Sequence, residues 1–168
     1  MASQSDTRAH AADVEVLVRR SMTKAYELFS LLTPPAYVAF VLARKGRGHL
    51  SINRFLRATW VGGAVGCVGG GGFEYIRSAK ESGATLRNRR VRDAYDTASL
   101  RADDHATIGA LLFAVLTPAL LWKRASIQNL ILGGAGIGTA VGLLTHYGRT
   151  VTGDPAPKIQ ITEISVSP

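Results

Sequence analysis

Four stretches of this chain contain no Asp, Glu, Lys or Arg: residues 28–43, 58–73, 107–122 and 125–147. Every charge falls between or outside them. A helix on the surface of a water-soluble protein carries a polar face along its whole length, and these four have none. A bilayer-spanning helix needs about 20 mostly apolar residues, within a range of about 17–25, and short extensions bring each stretch to that length. The second continues through Glu74, Tyr75 and Ile76, and the first follows Tyr26 and Glu27, with Lys24 long enough to snorkel. Trp60, Phe73, Tyr75, Trp122 and Tyr147 sit near the ends, where interfacial aromatic belts form. The pattern predicts an all-α, polytopic membrane protein with four transmembrane helices, over residues 28–43, 58–76, 107–122 and 127–147. Residues 1–27 read as a polar N-terminus with an amphipathic interfacial helix, its apolar face formed by Val14, Leu17, Val18, Met22, Ala25 and Phe29. Residues 77–106 read as a polar connection, and 148–168 as an extended or disordered tail. In that tail, the alternation from Ile159 to Ile164 suits a strand added to a partner's sheet.

Glycine supports the same environment. Seven glycines occupy the eleven residues 62–72, a density that would dissolve a helix in water. In lipid the backbone has no water to bond instead, so the helix persists. Gly62, Gly66 and Gly70 repeat every four residues, as do Gly134, Gly138 and Gly142. Each triplet lies on one helix face, a tandem small-xxx-small pattern that lets backbones approach closely. The second and fourth spans are therefore expected to pack through their glycine faces. Neither run follows a strand, and no Gly-Lys-Ser/Thr is present, so a phosphate loop is disfavoured.

Short segments recur. Leu32-Thr33-Pro34 returns as Leu116-Thr117-Pro118, Gly62-Gly63-Ala64 as Gly133-Gly134-Ala135, and Tyr75-x-Arg77 as Tyr147-x-Arg149, at offsets of 84, 71 and 72. This predicts two pseudo-repeated hairpins facing the same way, about an axis along the membrane normal. Pro34, Pro35 and Pro118 lie inside the first and third spans and should kink or break them.

The net charge of +8 matters through its placement. The two hairpin tips hold Arg44, Lys45, Arg47, Arg54, Arg57, Lys123 and Arg124 and no acid, whereas the rest of the chain holds 13 positive and 12 negative residues. Short basic loops mark the inner side, which places both tips inside and both termini outside. Arg44, Lys45, Arg47, Lys123 and Arg124 read as topology anchors or as ligands for anionic headgroups such as cardiolipin. The neutrality of the spans argues against a proton pump, ion channel or electron carrier, which place ionisable groups in the membrane interior.

Candidate chemistry is sparse. The single cysteine, Cys67, excludes an intrachain disulfide and a cysteine-based metal cluster. Asp103-Asp104-His105 is the one compact set of metal-ligand types, but three adjacent helical residues cannot all face one ion. Asp103 or Asp104 reads more simply as the N-cap of the third span. The run Arg87-Asn88-Arg89-Arg90-x-Arg92 has only Tyr95 near it for base stacking, so it reads as a solvated or partner-facing helix. The sequence thus points to no catalytic residue, cofactor, metal, nucleic-acid partner or small-molecule substrate.

Four motifs carry a family resemblance: Leu32-Thr33-Pro34-Pro35; Asn53-Arg54-Phe55-Leu56-Arg57-Ala58-Thr59-Trp60-x-Gly62-Gly63; Arg101-x-Asp103-Asp104-His105-x3-Gly109-Ala110; and Gly133-Gly134-Ala135-x-Ile137-Gly138. Over residues 22–150 the chain resembles the fungal NUXM family, accessory subunits of mitochondrial NADH:ubiquinone oxidoreductase (respiratory complex I). The resemblance implies an inner mitochondrial membrane protein bound to the hydrophobic arm of that complex, non-catalytic, supporting assembly and stability. The glycine spacing alone is also similar to the Tim17/Tim22/Tim23 translocases, which would imply a component of a protein-import or small-solute pore.

Overall fold

A computed structural model of the chain describes residues 2–154. Five helices follow one another: α1 (Ala2–Lys45), α2 (Ile52–Ser78), α3 (Gly83–Ala94), α4 (Thr97–Leu121) and α5 (Ile127–Val151), with a 3-10 turn at Arg47–His49. Each helix after the first starts behind a residue suited to accept from its free N–H groups: Ser51, Ser82, Asp96 and Ser126. Ser82 does so from Thr85 N at 3.4 Å, and Asp96 from Ser99 N at 3.2 Å. α1 stops at Gly46, whose φ of +76° is the left-handed conformation that ends helices.

Three helices are long and apolar enough to cross a membrane, over Arg8–Arg44, Thr97–Leu121 and Ile127–Val151. α2 is not among them. Its glycine run and its charges at Arg54, Arg57, Glu74 and Arg77 lower its mean hydropathy.

Several sequence expectations change. The helix does not break at residue 27, because α1 is one helix of 44 residues, about 66 Å long at 1.5 Å per residue. Its first half stays helical because Leu17 is buried, and Val18 and Met22 lie against α2 at Gly71. α1 also runs through Pro34 and Pro35, and α4 through Pro118, without interruption. Pro34 withholds a donor from the Ser30 carbonyl, yet α2 packed alongside at Thr33 holds the segment helical. Asp103 and Asp104 cap nothing: α4 begins at Thr97, so both lie inside the helix and Asp96 is the cap. α5 extends to Val151, which makes residues 148–151 helix rather than tail. The alternating segment at Ile159–Ile164 lies outside the described residues.

α1 and α2 pack antiparallel, since Gly62 meets Thr33 while Gly71 meets Met22 and Val18. α4 and α5 do the same, Gly134 meeting Thr117 and Gly142 meeting His105. Between the two pairs, Leu56 meets Gly133 and Thr59 meets Gly136, so α2 and α5 run parallel. Both pairs therefore point the same way. The space between them is filled by Ser30, Leu56, Thr59 and Leu130, each at most 1% exposed. α3 packs against α1, and its own Leu86 is fully buried.

Candidate interaction site: a glycine seam closed by polar ties

The six glycines of the two triplets are all seam residues, but the helices they meet differ from the expectation. They pack within each helix pair rather than against each other. Gly62, Gly66 and Gly70 face Thr33, Phe29 and the carbonyl of Ser21; Gly134, Gly138 and Gly142 face Thr117, Phe113 and the carbonyl of His105. Adding 72 to each α2 glycine and 84 to its α1 partner converts the first set of contacts into the second. The repeated Leu-Thr-Pro thus supplies the threonine that meets the first glycine of each triplet. The Gly-Gly-Ala match at an offset of 71 is out of register by one. Gly133 turns away from α4 and meets Leu56 of the other pair.

The two seams differ in what lies opposite. A Cβ at Gly134 would come within 2.6 Å of the Phe113 carbonyl oxygen, and at Gly138 or Gly142 it would overlap the carbonyls of Gly109 or His105. In the first pair the opposing atoms are mostly side chains, those of Thr33, Phe29 and Ala25. Backbone meets backbone in the second pair, which makes it the tighter of the two.

Compared with protein-family models, curated proteins and solved structures, the chain matches none. What the seam does must therefore be read from its own geometry.

Polar groups fasten the two pairs at both ends. At the tips, the Asn53 Oδ1 accepts from Asn129 Nδ2 at 2.7 Å and from the Ser126 backbone N–H at 3.3 Å, while Trp60 Nε1 donates to Asn129 Oδ1 at 3.0 Å. At the other end Lys24 of α1 donates to Asp103 of α4, to Glu27 Oε2 at 3.3 Å and to the Ser99 carbonyl at 3.4 Å. Glu27 is buried, so Lys24 compensates a carboxylate removed from water. His105 and His146 lie ring to ring at 5.6 Å, joining α4 to α5.

A third tie holds α3. Arg89 reaches Glu74 of α2 at 2.8 Å and Glu81 at 3.0 Å; Ser78 Oγ donates to Glu74 at 3.1 Å, and Arg77 to Glu81 at 3.1 Å. The hydrogen bond from Arg89, joined by one from Arg77, holds the Glu81 carboxyl below its ordinary pKa against some loss of hydration. Arg90 meets Asp13 of α1 at 2.7 Å. Two arginines of the basic run are thus spent inside the chain rather than offered to a partner.

Apart from Lys24–Glu27, Ser78–Glu74 and Arg77–Glu81, which lie three or four residues apart, these pairs were not legible locally, because their members lie 8 to 79 residues apart. The repeat carried one clue: the offset of 72 that aligns Tyr75 with Tyr147 also aligns Glu74 with His146, and both are buried. Among the remaining candidates, Arg44 lies over the Phe40 ring at 5.8 Å, while Lys123 and Arg124 are exposed in the α4–α5 turn. Lys45 and Arg47 lie at the first tip. Pro34 and Pro35 line a shallow cavity with Phe55. Asp104 is exposed. Among the described residues, no three His, Cys, Asp or Glu side chains converge as a metal site.

The outer surface is apolar. On α4, Leu111, Leu112, Val115 and Leu120 are each more than 60% exposed, as are Val65, Val68, Phe73 and Ile76 on α2. A water-soluble monomer rarely exposes contiguous apolar patches of this kind.

Proposed function

We propose that the chain is a non-catalytic accessory subunit of the membrane arm of mitochondrial complex I, supporting its assembly and stability from within the inner membrane. The observation that carries the membrane-scaffold part is the combination of a glycine-closed interior with a broadly apolar exterior. Side chains in contact with water would reverse that arrangement. In this reading α2 is the fourth span, despite its lower hydropathy. It runs beside α1 and α5 and turns Val65, Val68 and Phe73 outward. Its Arg54 and Arg57 snorkel toward the tips. Both tips face the matrix and both termini the intermembrane space, following the unopposed positive charge at the tips.

The filled space between the pairs favours a packing role over a conduit, because Leu56, Thr59 and Leu130 occupy it. The assignment to complex I rests on the sequence resemblance. Its motifs fall where helices meet: Thr33 on Gly62, Asn53 on Asn129, Asp103 on Lys24, and Gly109 on Gly138. Blue-native electrophoresis of mitochondria, probed for this chain, tests the proposal. Co-migration with complex I, and a loss of assembled complex when the chain is deleted, is the expected result. A band at the size of the free chain alone, or in a translocase-sized assembly, would overturn it.

A further inference from the structure

Two cavities lie side by side where α1 meets α2, and they share Tyr37, Phe40 and Ala58. One, of about 470 Å³, opens at the first tip and is edged by His49, Arg54 and Arg57. The other, of about 410 Å³, continues toward the middle of the helices between Phe29, Leu32 and Ala36. Together they form one groove, basic at the tip and apolar inward. Phe29 and Phe40 are eleven residues apart on α1, about 16 Å along a helix. That is about the depth of one leaflet of a roughly 30 Å hydrocarbon core.

Among the described residues, the charge at its mouth has no carboxylate partner. Among the described residues neither Arg54 nor Arg57 forms an ion pair, and residues 28–73 contain no acid. At the opposite end Arg19, Arg20, Arg77, Arg89, Arg90 and Arg101 each meet a carboxylate, while Arg87, Arg92 and Arg149 form no ion pair among the described residues and have no apolar groove beneath them. A forked guanidinium is the side chain best matched to a phosphate. An apolar wall running inward from two such groups has the polarity profile of a phospholipid, with its head at the surface and its tail in the core.

We propose that this groove binds an anionic phospholipid, with the phosphate held at Arg54 and Arg57 and one acyl chain laid along Tyr37, Ala36 and Leu32. The site rests on the membrane reading above and assigns it a specific lipid contact. Arg54 and Arg57 were not among the anchors chosen from the sequence. They emerge because the fold places them over an apolar channel.

The full-length protein in a non-ionic detergent, titrated with dioleoylphosphatidylglycerol, provides the test, with bound lipid counted by mass spectrometry of the intact chain. Phosphatidylglycerol should bind at least tenfold more tightly than dioleoylphosphatidylcholine, and glycerol 3-phosphate should not displace it. Arg54→Gln/Arg57→Gln should weaken binding roughly thirtyfold, as the loss of two surface charges implies. Lys123→Gln/Arg124→Gln, an equal charge loss at the same end, should change it less than threefold. Ala36→Trp, which keeps both arginines and fills the apolar part, should also weaken it. Equal effects of the two double variants would overturn the groove in favour of general charge at the tips. Displacement by glycerol 3-phosphate would overturn it in favour of a free-phosphate site. Alkaline carbonate extraction of the chain from membranes tests the underlying reading separately. Protein that stays in the pellet, with unchanged lipid binding in Arg54→Gln/Arg57→Gln, rejects the groove alone; protein in the supernatant rejects the membrane reading.

Discussion

Replacing Gly134 by alanine adds one methyl group at a place where the opposing atom belongs to the backbone. The new Cβ would lie 2.6 Å from the Phe113 carbonyl oxygen and 2.7 Å from Thr117 Oγ1, against an ordinary contact of at least 3.4 Å. The shortfall is 0.8 Å, and it cannot be relieved by turning a side chain, because the oxygen moves only with α4. The helices must separate by about that distance, and a radial gap of about 0.5–1 Å forfeits a quarter to a half of each dispersion contact it opens. Overpacking of this kind costs about 1–3 kcal/mol, a roughly 5- to 150-fold shift in the folding equilibrium. Gly69→Ala and Gly72→Ala are the controls, since a Cβ at either meets nothing within 4 Å. Both controls should leave stability unchanged or slightly raise it. The assay is helix content during titration of the detergent-solubilised chain with a denaturing detergent. Equal midpoints for Gly134→Ala and Gly69→Ala would refute the close-packing argument.

Gly138→Leu should disrupt the fold and its assembly more than Gly66→Leu, measured by the same titration. Gly138 faces the Gly109 carbonyl, whereas Gly66 faces the ring of Phe29, which is 40% exposed and can swing outward. Lys24→Met should destabilise by about 1–3 kcal/mol, less than the roughly 3–5 kcal/mol of a fully buried pair because Lys24 is partly exposed. Adding Glu27→Leu should recover part of that loss, and a double variant no better than the single one would refute the pairing. For Glu81, the folded-state pKa lies below the unfolded value, so its contribution is present above the ordinary carboxylate range and is lost as pH falls through the lowered value. Glu81→Gln should therefore melt below the parent at about pH 7, with the gap closing as the pH falls below the ordinary carboxylate range. A gap that stays constant over that fall in pH would count against the Arg89–Glu81 tie.

The elements most visible in the sequence were those set by local spacing. Glycines four residues apart marked the seam faces of α2 and α5, and the repeated Leu-Thr-Pro marked the recurrence of one helix pair in the other. Which helix met which glycine was not visible, because a triplet specifies a face and not its partner. The continuity of α1 was hidden by its polar first turns, which lack the apolar periodicity of residues 14–29; packing against α2 and α3 carries the helix through. The start of α4 was placed too late because Asp103-Asp104 looked like a cap, while Asp96, a better-placed acceptor, lies in the polar connection. The end ties at Lys24–Asp103 and Asn53–Asn129 join residues far apart in the chain, and no local spacing pairs them. The arginines at the mouth of the α1–α2 groove read as ordinary tip charges until the fold placed them above Tyr37 and Phe40.

The central claim is that a bilayer surrounds two helix pairs that point the same way. Single cysteines placed at Gly48, Arg124 and Arg92, in a chain with Cys67→Ala, test it with a membrane-impermeant thiol reagent on sealed membranes. Gly48 and Arg124 lie at the two tips, and Arg92 lies in α3 at the opposite end. The account predicts that positions 48 and 124 react from one side only and position 92 from the other. Reaction of all three from the same side would contradict it.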